Sequence, residues 1–267
     1  MSVVYKYYPP TEYTKDALLN GYFFFCKAKS QNDPFEASFK LVNNPIFRDY
    51  LIEKCNVDPN ADQVMGNYGI CCFSKEKNNK HLWAHYAANY SGIVVGYEDS
   101  FFEQIVNQFQ IRLPYVESIY VDQCPTFDNE YEDLIPKYIY PELGPEGLPR
   151  QLYLSKVRTD QKSCDEFFIR LCSTKEKATW GNEKEHRLLA CRDVTEHKNR
   201  LEKLGVEFVE NGYKIPFPKD CVQEIIIGHN CKLDRSFIDA LKKNYPNIQT
   251  LYKTSPEIPF EISITSI

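Results

Sequence analysis

Short runs of aromatic and β-branched residues, each closed within a few positions by Pro, Gly, Asn or Asp, recur along the whole chain. They occupy residues 3–7, 22–28, 68–74, 92–97, 116–121, 183–192, 223–228 and 249–253. Runs of that length and type suit a pleated sheet. Helical patterns fall between them at 16–20, 37–56 (split by Asn43-Asn44-Pro45), 80–90, 100–110, 149–171 and 236–244. The elements mix without the regular strand–helix–strand alternation of a doubly wound sheet, so an α+β sheet protein is expected. With 267 residues, 43% of them hydrophobic, one core buries most apolar surface without a metal or disulfide staple. Residues 1–267 therefore read as a single domain, with an acidic, Pro/Gly-bearing insertion at about 124–150.

The formal net charge is −5, which argues against a general phosphate-binding surface. No stretch approaches the roughly 20 apolar residues that span a bilayer. The opening MSVVYKYYPP has neither the basic nor the apolar region of a secretory leader, so a cytoplasmic location without membrane attachment is expected. The 10 cysteines include no CxxC pair, and only Cys221 and Cys231 with His229 hint at zinc. They read as reduced, mostly buried thiols, and no metal site is expected.

Dinucleotide-binding, P-loop and hydrolase-elbow signatures are all missing. His81 and His85 share one helix face, but Leu82 stands where a zincin needs its glutamate base, so an aromatic helix packed on a sheet is favoured over a metal site. The informative segment is Trp180-Gly181-Asn182-Glu183-Lys184-Glu185-His186-Arg187-Leu188-Leu189. On a strand, Glu183, Glu185 and Arg187 project from one face, and Arg187 offsets the repulsion of the carboxylates. An exposed charged strand face is the plain alternative. The upstream Trp and the apolar continuation place the segment in a core instead, where charged residues are commonly functional.

Several ordered motifs then carry a resemblance over about residues 3–230. They are Tyr5-Lys6-Tyr7, Asn32-Asp33-Pro34-Phe35-Glu36, Cys72-Phe73-Ser74, Leu82-Trp83-Ala84-His85-Tyr86-Ala87 and Trp180-x-x-Glu183-x-Glu185-x-Arg187. Together they resemble a bacterial family marked by an opening YKY strand, an NDPFE turn, a CFS strand, a WAHYA helix and a W-x-x-E-x-E-x-R strand. That family is similar in layout to ADP-ribosyltransferases, with relatives among phage-defence and abortive-infection proteins. The resemblance implies a split β-sheet with surrounding helices and NAD as substrate. It also implies transfer of ADP-ribose to a protein or nucleic-acid acceptor, or to water, in defence or toxicity.

By the same resemblance Glu185 stabilises the oxocarbenium ion formed as the nicotinamide–ribose bond breaks, and Glu183 steers or deprotonates the acceptor. Tyr5, Lys6, Tyr7, Asp33, Phe73, Ser74, Trp83, Tyr86 and Arg187 would form the NAD-contacting set. Lys6 stands in for the Arg or His of well-studied subfamilies, and Trp83 or Tyr86 would stack on nicotinamide. Two further readings are a catalytically inactive nucleotide-sensing or partner-binding module of the same fold, and a metal-dependent enzyme on the His81/His85 helix.

Overall fold

The computed structural model describes residues 3–31, 33, 40–42, 68–122, 126–128, 169–170, 172–190, 192–245, 247–248, 251–257 and 261–266. In chain order the first elements are Val3–Tyr8 (β1), Glu12–Asn20 (α1), Tyr22–Lys27 (β2), Lys40–Val42 (β3), Gly69–Ser74 (β4), Lys80–His85 (α2), Ile93–Glu98 (β5) and Phe101–Phe109 (α3). Then come Tyr115–Glu117 (β6), Ile119–Val121 (β7), Thr126–Asp128 (β8), Thr174–Glu176 (β9), Lys177–Trp180 (α4), Glu185–Ala190 (β10), Arg192–Glu196 (α5) and Lys198–Lys203 (α6). Glu207–Val209 (β11), Gly212–Pro216 (β12), Val222–Ile227 (β13), Arg235–Asn244 (α7), Leu251–Glu257 (β14) and Glu261–Ser266 (β15) complete the described part. The expected helices at 37–56 and 149–171 and the insertion at 124–150 lie outside the described residues, apart from β3, β8 and residues 169–170.

The architecture is α+β, built on a large mixed sheet. Its path runs β11-β12-β2-β4-β1-β5-β13-β14-β15, with β10 paired to β4 and β6 paired to β10. Pairing is antiparallel throughout this sheet except between β13 and β14. Strand β4 is the junction. Strand β10 pairs with all of it, from Gly69 to Ser74. Its other edge is shared: β2 pairs at Gly69 and Ile70, whereas β1 pairs only at Ser74. The sheet therefore forks along β4, with β2-β12-β11 on one arm and β1-β5-β13-β14-β15 on the other.

Alternation along the strands divides the sheet into two faces. Val4 and Tyr8 join a large core with Phe23, Phe73, Tyr97, Phe101 and Leu241, contributed in part by α3 and α7. Phe23 lies at its centre, with ring centroids 4.4–5.2 Å from Phe217, Tyr97, Phe101 and Phe73. Tyr5 faces the other way, into a smaller cluster with Trp83, Ala87, Val94 and Ile226. Helix α1 begins at Thr11, whose hydroxyl accepts from Thr14 N, and ends at Gly21 in the left-handed conformation (φ 72°). An ion pair from Lys15 to Asp234, the N-cap of α7, ties the two helices together.

Three sequence expectations change. The strand expected at 116–121 breaks at Ser118, because its two halves serve different partners: β6 pairs with β10 and β7 with β9. The strand expected from 183 starts at Glu185, since Lys184 adopts a left-handed backbone (φ 47°). The helix expected over 80–90 ends at His85, and Ala88, Asn89 and Tyr90 all take positive φ. Three consecutive non-glycine residues in that region need a strong local reason. Tyr90 has one: its ring stacks on Trp83 at 5.1 Å and on His229 at 4.6 Å. The chain then re-enters the sheet through Gly92, where a Cβ would stand 1.9 Å from Tyr8 O. Gly92→Ala should accordingly cost about 1–3 kcal/mol of stability. A urea midpoint equal to wild type would contradict this close approach.

Candidate active site

The fork places one row of side chains across three strands. Tyr5 pairs with Ser74, and Ser74 pairs with Glu185, so all three stand on the same face of the sheet. Between β1 and β4 the fork leaves the Cys72 carbonyl facing β1 without a strand partner there. Lys6 fills that gap, with Nζ donating to Cys72 O at 3.1 Å and lying 5.3 Å from the centre of the Phe73 ring. The Tyr7 hydroxyl donates to Glu76 O at 2.6 Å, and Ser74 Oγ accepts from Glu76 N at 3.1 Å. These groups surround a cavity of about 70 Å³ lined by Tyr5, Lys6, Tyr7, Cys72, Phe73, Ser74, Leu82, Tyr86 and Glu185. That is room for about two waters, less than a ribose fills, so a sugar enters only with displacement of lining side chains such as Leu82 of α2 or Tyr86 just beyond it.

Behind the row is a buried charge cluster. Lys175 Nζ donates to Glu183 Oε2 at 2.6 Å and to Glu185 Oε2 at 3.0 Å. Arg187 Nε donates to Glu185 Oε1, and Arg187 Nη1 to Cys172 O. Ser118 Oγ donates to Glu185 Oε1 at 3.3 Å, and Glu185 N donates to the Tyr120 hydroxyl at 2.9 Å. Exposure is 5% for Lys175, 0% for Glu183, 4% for Glu185 and 0% for Arg187, so the four charges balance where water cannot screen them.

The two carboxylates respond oppositely. Burial pushes Glu185 up, but Arg187 and Lys175 outweigh it and hold the group at about 2. Burial raises Glu183, and Lys175 offsets that only in part. Glu183 Oε1 meets no donor at bonding geometry among the described residues, although the Tyr86 hydroxyl stands near enough to favour the ionised form. Burial lowers Lys175, and Glu185, Tyr86 and Cys72 together more than reverse this. Burial also lifts the Cys72 thiol well above its ordinary value, which removes it as a nucleophile.

Helix α2 closes the cavity from above the sheet. Asn79 caps it by accepting from His81 N and Leu82 N, and its amide donates to Asn182 O at 2.8 Å. A Lys184–Glu76 ion pair at 2.5 Å fastens the same two loops together. Trp83 is fully buried, its Nε1 donates to Lys77 O at 2.9 Å, and it packs edge-on to Tyr7. Trp83→Phe should therefore lower stability by about 1–3 kcal/mol, because the half-buried Lys77 carbonyl loses its donor and the smaller ring leaves space in the core. Ligand affinity at the cavity should stay unchanged. A titration showing a large affinity loss with no stability loss would contradict this assignment.

The residues expected at the site thus separate. Tyr5, Lys6, Tyr7, Phe73, Ser74, Tyr86 and Glu185 meet at one cavity. Trp83 and Arg187, expected to contact NAD, do not line it: Trp83 braces α2 on the sheet, and Arg187 acts through Glu185. Glu183 reaches the cluster from the loop before β10, not from the strand face, and it too lies off the cavity lining. Asp33 is buried, and the rest of its expected turn at 32–36 lies outside the described residues. His81 and His85 rings sit 4.4 Å apart, and no cluster among the described residues has three groups able to hold a metal. No helix among them is long and apolar enough to cross a membrane. The sequence reading missed Lys175, which sits inside the charged run STKEK and has the look of a solvated lysine.

No family model, curated protein or solved structure matches the chain.

Proposed function

We propose that this chain is an ADP-ribosyltransferase-like protein that cleaves NAD between nicotinamide and ribose, in the bacterial defence or toxicity setting the resemblance implies. The observation that carries the reading is the row Tyr5–Ser74–Glu185 across β1, β4 and β10, with Tyr7, Lys6 and Tyr86 around the same cavity. It unites three sequence stations lying far apart in the chain, and the fork along β4 suits a split-sheet fold.

In this reading the C1′–N bond breaks, its electron pair leaves with nicotinamide, and positive charge develops on the ribose as in glycoside cleavage. Glu185 accepts from the ribose 2′-hydroxyl and stabilises that charge. Arg187 and Ser118 occupy Oε1 and Lys175 takes one lone pair of Oε2, which leaves one acceptor site on Oε2 for that hydroxyl. Tyr86 and Tyr7 offer ring surface to nicotinamide. Water or an acceptor hydroxyl then bonds to C1′ and gives up its proton, to solvent in the case of water and, for an acceptor, to Glu183, which lies off the cavity lining and is held less firmly in its charged form than Glu185.

A second reading is a nucleotide-sensing or partner-binding module without turnover, favoured by the burial of Glu185 and its two cationic partners. Purified protein incubated with NAD labelled in the nicotinamide ring separates the two. Time-dependent release of free nicotinamide supports cleavage. Saturable NAD binding without release replaces it with the sensing module, and neither binding nor release removes both.

A further inference from the structure

We infer that Lys175 is the positioning residue of this site: its buried ammonium bridges Glu183 and Glu185, aims the Glu185 carboxylate at the cavity and keeps it ionised. The inference rests on the reading of Glu185 as the charge-stabilising carboxylate and adds the residue that sets its state. Lys175 is brought there by a small unit of its own. Strand β9 pairs in parallel with β7, placing Lys175 beside Tyr120. That unit docks on β10 through Ser118 N donating to Glu185 O at 2.9 Å, and Ile119 N donating to Ser173 O at 2.7 Å closes the unit internally.

The ammonium is boxed in. Glu183 and Glu185 take two of its hydrogens, and the Trp180 ring of α4 covers another side with its centre 4.5 Å away. The remaining groups facing the cluster come from several elements: Arg187 on β10, Tyr120 on β7, Ser118 before it, Cys72 on β4, and His81 and Tyr86 from the α2 region. Besides Lys175, only Arg187 among these permanently carries a positive charge. Without Lys175, two buried carboxylates would share one guanidinium, and like charges that close cannot both stay ionised. The proton taken up would fall on Glu183 or Glu185, and in the second case the charge needed at the ribose would be lost.

The test compares Lys175→Met, Glu183→Gln and the double variant with wild type, using two readouts: the infrared absorption of protonated carboxyl groups at neutral pH, and release of nicotinamide from NAD. Lys175→Met should gain protonated carboxyl absorption over wild type. Its hydrolysis of NAD should fall about 10²-fold, with NAD affinity little changed. Adding Glu183→Gln restores charge balance as a single Glu185–Arg187 pair. The double variant should lose the extra absorption and recover about tenfold in hydrolysis.

A lysine that merely braced the fold would lower the melting temperature of Lys175→Met without new carboxyl absorption, and that result overturns the inference. So does a double variant no more active than the single one. Should Lys175→Met not fold, the double variant is compared with Glu183→Gln alone. The acid limb of its hydrolysis should lie at higher pH, because Glu185 has lost one cation, and coincident limbs overturn the inference. A wild type that releases no nicotinamide defeats the NAD reading by itself, and the infrared comparison still decides whether Lys175 sets the charge of the pair.

Discussion

Glu185→Gln is expected to lower NAD cleavage by about 10²–10³-fold, since one well-placed electrostatic contact contributes roughly 3–4 kcal/mol at a transition state. Binding of intact NAD should change far less, because the negative charge matters mainly as the bond breaks. The structure adds a second consequence. Glu185 faces both Lys175 and Arg187, so the amide leaves one buried cation uncompensated. Breaking a buried charge cluster in this way costs about 3–5 kcal/mol. A lowered melting temperature is therefore expected with the loss of turnover, and on its own decides nothing. Turnover per folded molecule does decide. Glu185→Asp keeps the charge but draws it back from the ribose, and should retain more stability than the amide while still losing most turnover. Folded Glu185→Gln cleaving NAD at the wild-type rate would leave the residue a purely structural role. Glu183→Gln, by contrast, should impair transfer to an acceptor more than hydrolysis.

The parts of this arrangement legible in the sequence were those written in local residue choice. Strands β1, β2, β4 and β5 are dense in aromatic and β-branched residues and bounded by turn formers, so local chemistry and tertiary packing agree. Helix α3 carries Phe101, Phe102, Ile105 and Phe109 on one buried face, a period a sequence displays directly. Strand β12 was hidden: Gly212, Lys214 and Pro216 all read as turn or surface residues. It is a strand because β2 offers it a partner from Tyr22 to Cys26, which no local window contains. Strand β15 pairs with β14 among the described residues. At the site, period-two alternation brought Glu183 and Glu185 together for an incomplete reason. Lys184 breaks the strand, and the two carboxylates converge because Lys175 draws them, from a three-residue strand outside the main sheet. A lysine in a hydrophilic run carries no local sign of burial.

The charge cluster also fixes how the fold should respond to acid. Glu185 has a folded-state value of about 2 against an ordinary 4.5, so between those limits the unfolded chain binds more protons than the folded one. Stability must therefore be complete above about pH 4.5 and fall as pH drops through 2, a contribution on the order of 3 kcal/mol. Glu183 works with the opposite sign. Its folded-state value is raised, so the folded chain holds its proton longer, and stability declines with rising pH across the window above 4.5. The two together predict a stability maximum on the acid side of neutrality from this cluster. Asp234, likewise lowered to about 2, loses its capping contacts over the same acid range, so the wild-type curve alone does not isolate Glu185. The difference between wild type and Glu185→Gln does. It should be large at pH 5 and shrink steadily towards pH 2, where the wild-type carboxyl takes up its proton and comes to resemble the amide. Chemical denaturation of both proteins at a series of pH values reads this directly. A gap that stays constant from pH 5 to pH 2 would mean that Glu185 is not held ionised by Lys175 and Arg187, and would remove the electrostatic basis for placing it at the ribose.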